Sequence, residues 1–214
     1  MRIMKSASNK ELPDPEFNHM GVPLPKLVFA TNNQHKIDEA QAIVQGKLQL
    51  ISLKEAGVEI EVDETETTFR GNAFLKAQAV WEITGLPCVA DDSGLCVNAL
   101  GGEPGVFSSR YAGEAGNHAK NNEKLLSELL GKADRSAYFT TVLCIVGMEN
   151  TTIYIEGRVN GVILTQMQGK DGFGYDPLFC PEGENRSFAE MLASEKNAMS
   201  HRGRAFQSLM DYLR

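Results

Sequence analysis

Apolar and polar positions follow two periods along the chain, and the switches between them mark out strands and helices. Lys26–Ala30 is a short apolar run that enters the polar turn Thr31-Asn32-Asn33-Gln34-His35-Lys36. Ile37, Ala40 and Val44 then recur at helical spacing, and Gly46 is placed to stop that helix. Leu48–Leu53 reads as a second strand, so the chain opens as strand, turn, helix, strand, the order of a βαβ unit. An acidic loop carrying Glu59, Glu61, Asp63, Glu64 and Glu66 follows. It leads to a second helix that starts near Thr68, lines one face with Phe69, Ala73, Ala77 and Val80, and ends at Gly85 and Pro87.

Val89–Val97 reads as a buried strand with Asp91 and Asp92 inside it, and Leu95–Leu100 continues extended into the loop Gly101-Gly102-Glu103-Pro104-Gly105. Asn117–Leu130 predicts a third helix with Leu125, Leu126, Leu129 and Leu130 inward. Tyr138–Met148 and Thr151–Val159 flank Glu149-Asn150 as an antiparallel hairpin, and Asn160-Gly161 predicts a second hairpin turn into Val162–Leu164. Parallel pairing at the start and hairpins later predict a mixed sheet in an α/β fold. The glycine-rich loop Gly169–Pro177 leads to a short strand, Leu178-Phe179. Ser187 with Glu190 makes a capping box that starts a short helix. Asn197–Arg202 reads as polar, and the last helix turns Ala205, Phe206, Leu209, Met210 and Leu213 inward.

Composition narrows the possibilities further. Residues 1–25 hold Pro13, Pro15 and Pro23 without periodicity and are expected to be a disordered or non-native extension, leaving 26–214 as the folded domain. A chain of 214 residues suits one domain with a substantial core. The formal net charge of −7 argues against non-specific nucleic-acid binding. No apolar run approaches the ~18 residues of a membrane span, and the expectation is a cytoplasmic protein without a membrane partner. Cys88, Cys96, Cys144 and Cys180 form no C-x-x-C pair and read as free, buried thiols.

The polar groups that interrupt this pattern fall at strand junctions, where open α/β sheets bind ligands. Two adjacent carboxylates in an apolar strand must be met by a cation, a metal or hydrogen-bond donors. Read alone, Asp91 and Asp92 are equally a brace at a strand-to-turn junction. The turn Thr31–Lys36 offers backbone N–H groups and a lysine at a helix start, which suits an anion, although a solvated surface turn has the same composition. Neither the G-x-x-x-x-G-K-[ST] loop nor the dinucleotide fingerprint occurs. Taken together, an anion turn, the hard oxygens of Asp91, Asp92 and the acidic loop, and an aromatic residue in a glycine loop point to Mg²⁺ with a nucleotide polyphosphate.

From Leu27 to the C-terminus the chain resembles the non-canonical purine nucleoside triphosphate pyrophosphatases, the inosine triphosphatase-like proteins. Seven collinear blocks carry the resemblance: Ala30–Lys36, Asn72-Ala73 with Lys76-Ala77, Ala90–Leu95, Leu100–Val106, Ser109–Gly113, Gly172–Pro177, and Glu195-Lys196-Asn197 with Ser200-His201-Arg202. Three positions depart from the family pattern: Phe107 stands where tyrosine is expected, Ser108-Ser109 stand for Ser-Ala, and Gly71 stands where an acidic residue is common.

The resemblance implies a mixed, elongated sheet flanked by helices, in two lobes with a central substrate cleft. It implies Mg²⁺-dependent hydrolysis of inosine, deoxyinosine and xanthosine triphosphates to monophosphate and pyrophosphate, in a homodimer. Asp92 matches the family's general base and, with Glu64, its metal-binding carboxylates. Thr31, Asn32, Asn33, Gln34, His35, Lys36 and Lys76 correspond to the phosphate-binding positions, with Ser93 also touching substrate. Phe173, Gly174, Tyr175, Asp176, Lys196, His201 and Arg202 correspond to the positions that hold the base and the rest of the nucleotide.

Overall fold

The structure is a computed structural model that describes residues 6–7 and 12–214. Its elements run β1 (Ser6–Ala7), β2 (Lys26–Phe29), α1 (Gln34–Val44), β3 (Gln49–Ser52), β4 (Val58–Glu59), α2 (Phe69–Thr84) and β5 (Cys88–Val97). They continue as α3 (His118–Glu128), β6 (Ser136–Val146), β7 (Ile153–Ile163), β8 (Phe179–Pro181), α4 (Ala193–Met199) and α5 (His201–Tyr212). Six strands follow the order β3-β2-β5-β6-β7-β8. Pairing of β2 with β3 and with β5 is parallel, whereas β7 and β8 are antiparallel, so the sheet is mixed as expected. Contacts divide the chain into two units: Met1–Asp92 with Val142–Glu156 and Ala205–Arg214, and Ser93–Thr141 with Gly157–Arg204.

The first unit shows why the chain needs apolar residues at every position from Leu27 to Ala30. Successive side chains of a strand point to opposite faces. Leu27 and Phe29 therefore join Ile37, Ala40 and Val44 of α1 and Ala205, Phe206, Leu209 and Met210 of α5. Val28 and Ala30 join Ala73, Ala77 and Val80 of α2. The ring of Phe206 meets that of Phe29 edge-on, with centroids 5.7 Å apart. Helix α2 begins where the sequence predicts: the Thr68 side chain accepts from the Gly71 N–H, and Gly85 closes it in the left-handed region at φ 66°.

Part of the expected 1–25 extension lies outside the described residues. In the rest, Ser6-Ala7 pairs antiparallel with Val58-Glu59. Leu24 is buried, Lys26 Nζ donates to the Pro13 carbonyl, and Gln49 Nε2 donates to that of Asp14.

The second unit is built on Leu95, Val97, Leu125, Leu129, Phe139, Val159, Ile163, Phe179 and Phe188. Three sequence expectations change here. Strand β7 runs straight through Asn160-Gly161, and Gly161 pairs with Pro181 instead of turning the chain. The glycine is required by crowding, since a Cβ at that position would collide with the Cys180 carbonyl and come within 2.7 Å of the Phe179 ring. Residues 98–100 form a 3-10 turn ended by Gly101 at φ 64°, not an extended strand. Helix α3 stops at Glu128, so Leu130 leaves the helical face and is 85% exposed. The polar stretch Asn197–Arg202 is largely helical, with α4 and α5 separated only by extended backbone at Ser200.

Candidate active site

The unit that contains Asp92 gathers carboxylates and lysines at the end of its parallel strands. Thr31 leaves β2, its Oγ1 accepts from the Asn33 N–H, and Asn33 in turn caps α1 by accepting from Lys36 N–H. Asn32 Nδ2 donates to the Ile60 carbonyl at 2.8 Å, which ties the turn to the start of the acidic loop. Gln34 bonds Asp38 along the outside of α1, and His35 is exposed beside it. Lys36 points the other way, into β5: its Nζ lies 2.7 Å from Asp91 Oδ1 and 3.3 Å from the Asp91 carbonyl. Asp91 is thereby a buried carboxylate met by a half-buried cation, which fits the bracing role left open by the sequence.

Lys76 comes from α2 and organises the neighbouring pair. Its ammonium donates to Glu64 Oε1 at 2.7 Å, to Asp92 Oδ1 at 2.7 Å and to the Asp91 carbonyl at 3.0 Å, which uses all three N–H bonds. Burial alone would lower the Lys76 pKa, but Asp92 and Glu64 outweigh it and hold the value above that of an ordinary lysine. Asp92 feels the opposite balance. Burial raises its pKa above the usual carboxylate range, with Lys76 and Lys36 pulling it back and Glu64 pushing it up.

Two carboxylate oxygens converging on one ammonium form a donor set that also suits Mg²⁺. That ion typically takes one or two carboxylates together with phosphate oxygens and waters, not an all-protein cage. Among the described residues no group of three or more His, Cys, Asp and Glu side chains is arranged to hold a metal alone. Glu64 and Asp92 therefore fit Mg²⁺ accompanied by a polyphosphate.

Gly71 departs from the family pattern, and its neighbour explains how the space is used. A Cβ at Gly71 would lie 2.7 Å from both Cβ and Cγ of Glu66, so the Glu66 side chain occupies the room that a side chain at 71 would take. The Glu66 N–H is held by Asn72 Oδ1 at 3.0 Å.

The other unit gathers the remaining candidates around Phe173. Asp176 Oδ2 accepts from Lys196 Nζ at 2.6 Å and from the Phe173 N–H at 2.8 Å, fixing the loop to α4. Above the Phe173 ring lie Lys196 Nζ, 4.9 Å from the centroid, and the Arg202 guanidinium, 5.9 Å away. Arg202 also donates to Ser93 Oγ at 3.0 Å. His201 is buried and stacks on Phe139 at 4.7 Å with the planes 10° apart. Tyr175 is buried, and its hydroxyl donates to the Ser108 carbonyl, which makes it an anchor of the loop; burial pushes its pKa up. Gly174 has φ 64° and accepts at its carbonyl from Asn122 Nδ2.

Sequence reasoning did not single out His118 and Asn122, which α3 sets against the Phe173-Gly174 loop. They are four residues apart and so share a helix face. That spacing was available, but nothing in the sequence says that α3 meets this loop.

Known proteins resemble the chain across the same region. The model of the Ham1 family matches residues 27–212. A dITP/XTP pyrophosphatase of Porphyromonas gingivalis is 46% identical over 88% of this chain and 97% of its own length. One of Clostridium perfringens is 45% identical, with the same coverage of both chains. Among solved structures, the Ham1 protein of Staphylococcus aureus superposes with a TM-score of 0.80 at 38% identity, covering 88% of this chain and 97% of that one. The dITP/XTP pyrophosphatase of Mycobacterium abscessus gives 0.71 at 41%, covering 86% and 98%. With the family model matching nearly all of the chain beyond its N-terminal segment, the chain belongs to the Ham1 family.

Proposed function

We propose that this chain is a nucleoside triphosphate pyrophosphatase that hydrolyses inosine, deoxyinosine and xanthosine triphosphates to the monophosphate and pyrophosphate. Its curated relatives are named dITP/XTP pyrophosphatases, and hydrolysis of such nucleotides is the activity they support. The observation that carries the finer reading is Lys76, whose ammonium joins Glu64 and Asp92 at 2.7 Å each. An arriving triphosphate would compete with Glu64 and Asp92 for Lys76, and with Asp91 for Lys36, freeing oxygens of Glu64 and Asp92. Glu64 and Asp92 would then hold Mg²⁺, which would supply charge neutralisation at the phosphates and polarisation of the bond to be cut.

The residues of the chain then supply positioning and electrostatics, the main requirements of phosphoryl chemistry. Lys36 and Lys76 meet negative charge as it builds on the phosphate oxygens. Asp92, held by Lys76 beside Glu64, is placed to orient the attacking water, whose proton its carboxylate can take. Asp91 holds Lys36 in place. On the base side, Arg202 and His201 offer donors to the C6 oxygen of hypoxanthine or xanthine, Phe173 offers a stacking surface, and Lys196 and Asp176 fix its loop. Adenine reverses that hydrogen-bond pattern and leaves buried donors unmet.

Asp92→Asn tests the assignment of the central carboxylate. The variant is expected to fold, to bind inosine triphosphate and to lose at least about a hundredfold in turnover. Turnover near that of the wild type would remove Asp92 from the mechanism.

A further inference from the structure

Helix α3 has a relation to the Phe173 loop that neither the phosphate chemistry nor the hydrogen bonds to the base require. His118 opens the helix, following the Asn117 cap, and its ring centroid lies 6.3 Å from that of Phe173 with the planes tilted by 58°. That is within the range of favourable aromatic pairs, which prefer tilted or offset arrangements. One turn on, Asn122 is buried, and its Nδ2 donates to the Gly174 carbonyl at 2.9 Å. This bond fixes which way the amide faces, because the flipped group would set two oxygens against each other. Its Oδ1 is buried and accepts from no donor among the described residues, so the Gly174 contact is what Asn122 is held there to make.

The two contacts act on consecutive residues of one loop. Gly174 sits in the left-handed region, where backbone is held by its partners and not by a side chain. Asp176 holds the Phe173 N–H from the other side. With the backbone pinned before and after the ring and Lys196 and Arg202 over its face, His118 is the aromatic neighbour placed to set the ring's tilt.

We propose that α3 determines base affinity: Asn122 pins the Gly174 carbonyl and His118 orients the Phe173 ring, so that both are positioning residues for the surface on which the purine stacks. This rests on the reading of Phe173 as that surface. It gives α3 a part in choosing the nucleotide without touching the phosphates.

Steady-state hydrolysis of inosine triphosphate by the full chain tests this with His118→Ala, His118→Phe, Asn122→Leu and Phe173→Ala, alongside inhibition by inorganic tripolyphosphate. Loss of the His118 ring is expected to raise KM about 3–10-fold with kcat within about twofold, and His118→Phe to restore most of it. Asn122→Leu is expected to raise KM similarly. Tripolyphosphate has no base, so its inhibition constant is expected to stay unchanged throughout. Thermal melting identifies any loss of fold in Asn122→Leu, and His118→Ala, at a half-buried position, keeps the test decisive if that variant unfolds. An unchanged KM in His118→Ala beside a raised KM in Phe173→Ala overturns the role of α3 and leaves the stacking surface standing. An unchanged KM in Phe173→Ala overturns both. A tripolyphosphate constant that moves with KM also overturns the proposal, because the effect is then not confined to the base.

Discussion

Lys196 Nζ lies 2.6 Å from Asp176 Oδ2, with both side chains almost wholly withdrawn from solvent, at 6% and 4% exposure. The same carboxylate oxygen accepts from the Phe173 N–H, so one buried ion pair sets the base of an otherwise glycine-rich loop. Breaking such a pair from one side strands a charge in the interior. Asp176→Ala is therefore expected to cost about 3–5 kcal/mol in denaturant unfolding. Lys196→Met combined with Asp176→Asn is expected to cost less than the two single changes added together. Strict additivity in that double-mutant cycle would show that the two groups do not interact.

Gly161 makes a second prediction, from crowding. It lies within β7 opposite Pro181, and a side chain there meets the backbone of β8. Gly161→Ala is expected to lose about 1–3 kcal/mol, as overpacked sites do, and to lower the melting temperature by roughly 2–4 °C for each kcal/mol. A melting temperature equal to that of the wild type would mean that β7 turns at this point after all.

That residue also shows where the sequence was legible and where it was not. Strand β2, helices α1 and α2 and the Thr68 cap follow from local periodicity and capping chemistry, because each buries one regular face. Asn160-Gly161 carries the same letters as a hairpin turn. Its glycine answers a tertiary demand from Cys180 and Phe179, about twenty residues on, which no local window contains. Asp91 and Asp92 are similar: their place in an apolar run marked them, but their different partners, Lys36 and Lys76, lie on two other elements. His118 and Asn122 became visible only when α3 was seen beside the Phe173 loop.

Lys76 holds Asp92 below the pKa that burial alone would give it. Replacing it by methionine removes the positive charge that most favours the ionised carboxylate. In the metal-free protein, the Asp92 carboxyl is expected to titrate at higher pH in Lys76→Met than in the wild type, as followed by carbon NMR of the side chain. A shift to lower pH would contradict the ion pair.

The cysteines give the pH dependence of stability. Burial pushes the Cys88 thiol up to about 11 and the Cys144 thiol up to about 12, from 9.0. Between pH 9 and 11 the unfolded chain releases these protons while the folded chain keeps them, so stability is expected to fall as pH rises through that window. At pH 8 both thiols are expected to react with a soluble disulfide reagent far more slowly than in the unfolded chain. Rapid modification of the native protein at Cys88 or Cys144 would place them outside the core.

The most direct measurement of the central claim is hydrolysis of inosine, deoxyinosine, xanthosine, adenosine and guanosine triphosphates with Mg²⁺, with pyrophosphate and orthophosphate measured in parallel. Pyrophosphate released in equal amount to monophosphate, at much higher kcat/KM for the inosine, deoxyinosine and xanthosine substrates than for adenosine triphosphate, is the predicted result. Orthophosphate as the first product, or equal turnover of adenosine and inosine triphosphates, would contradict it.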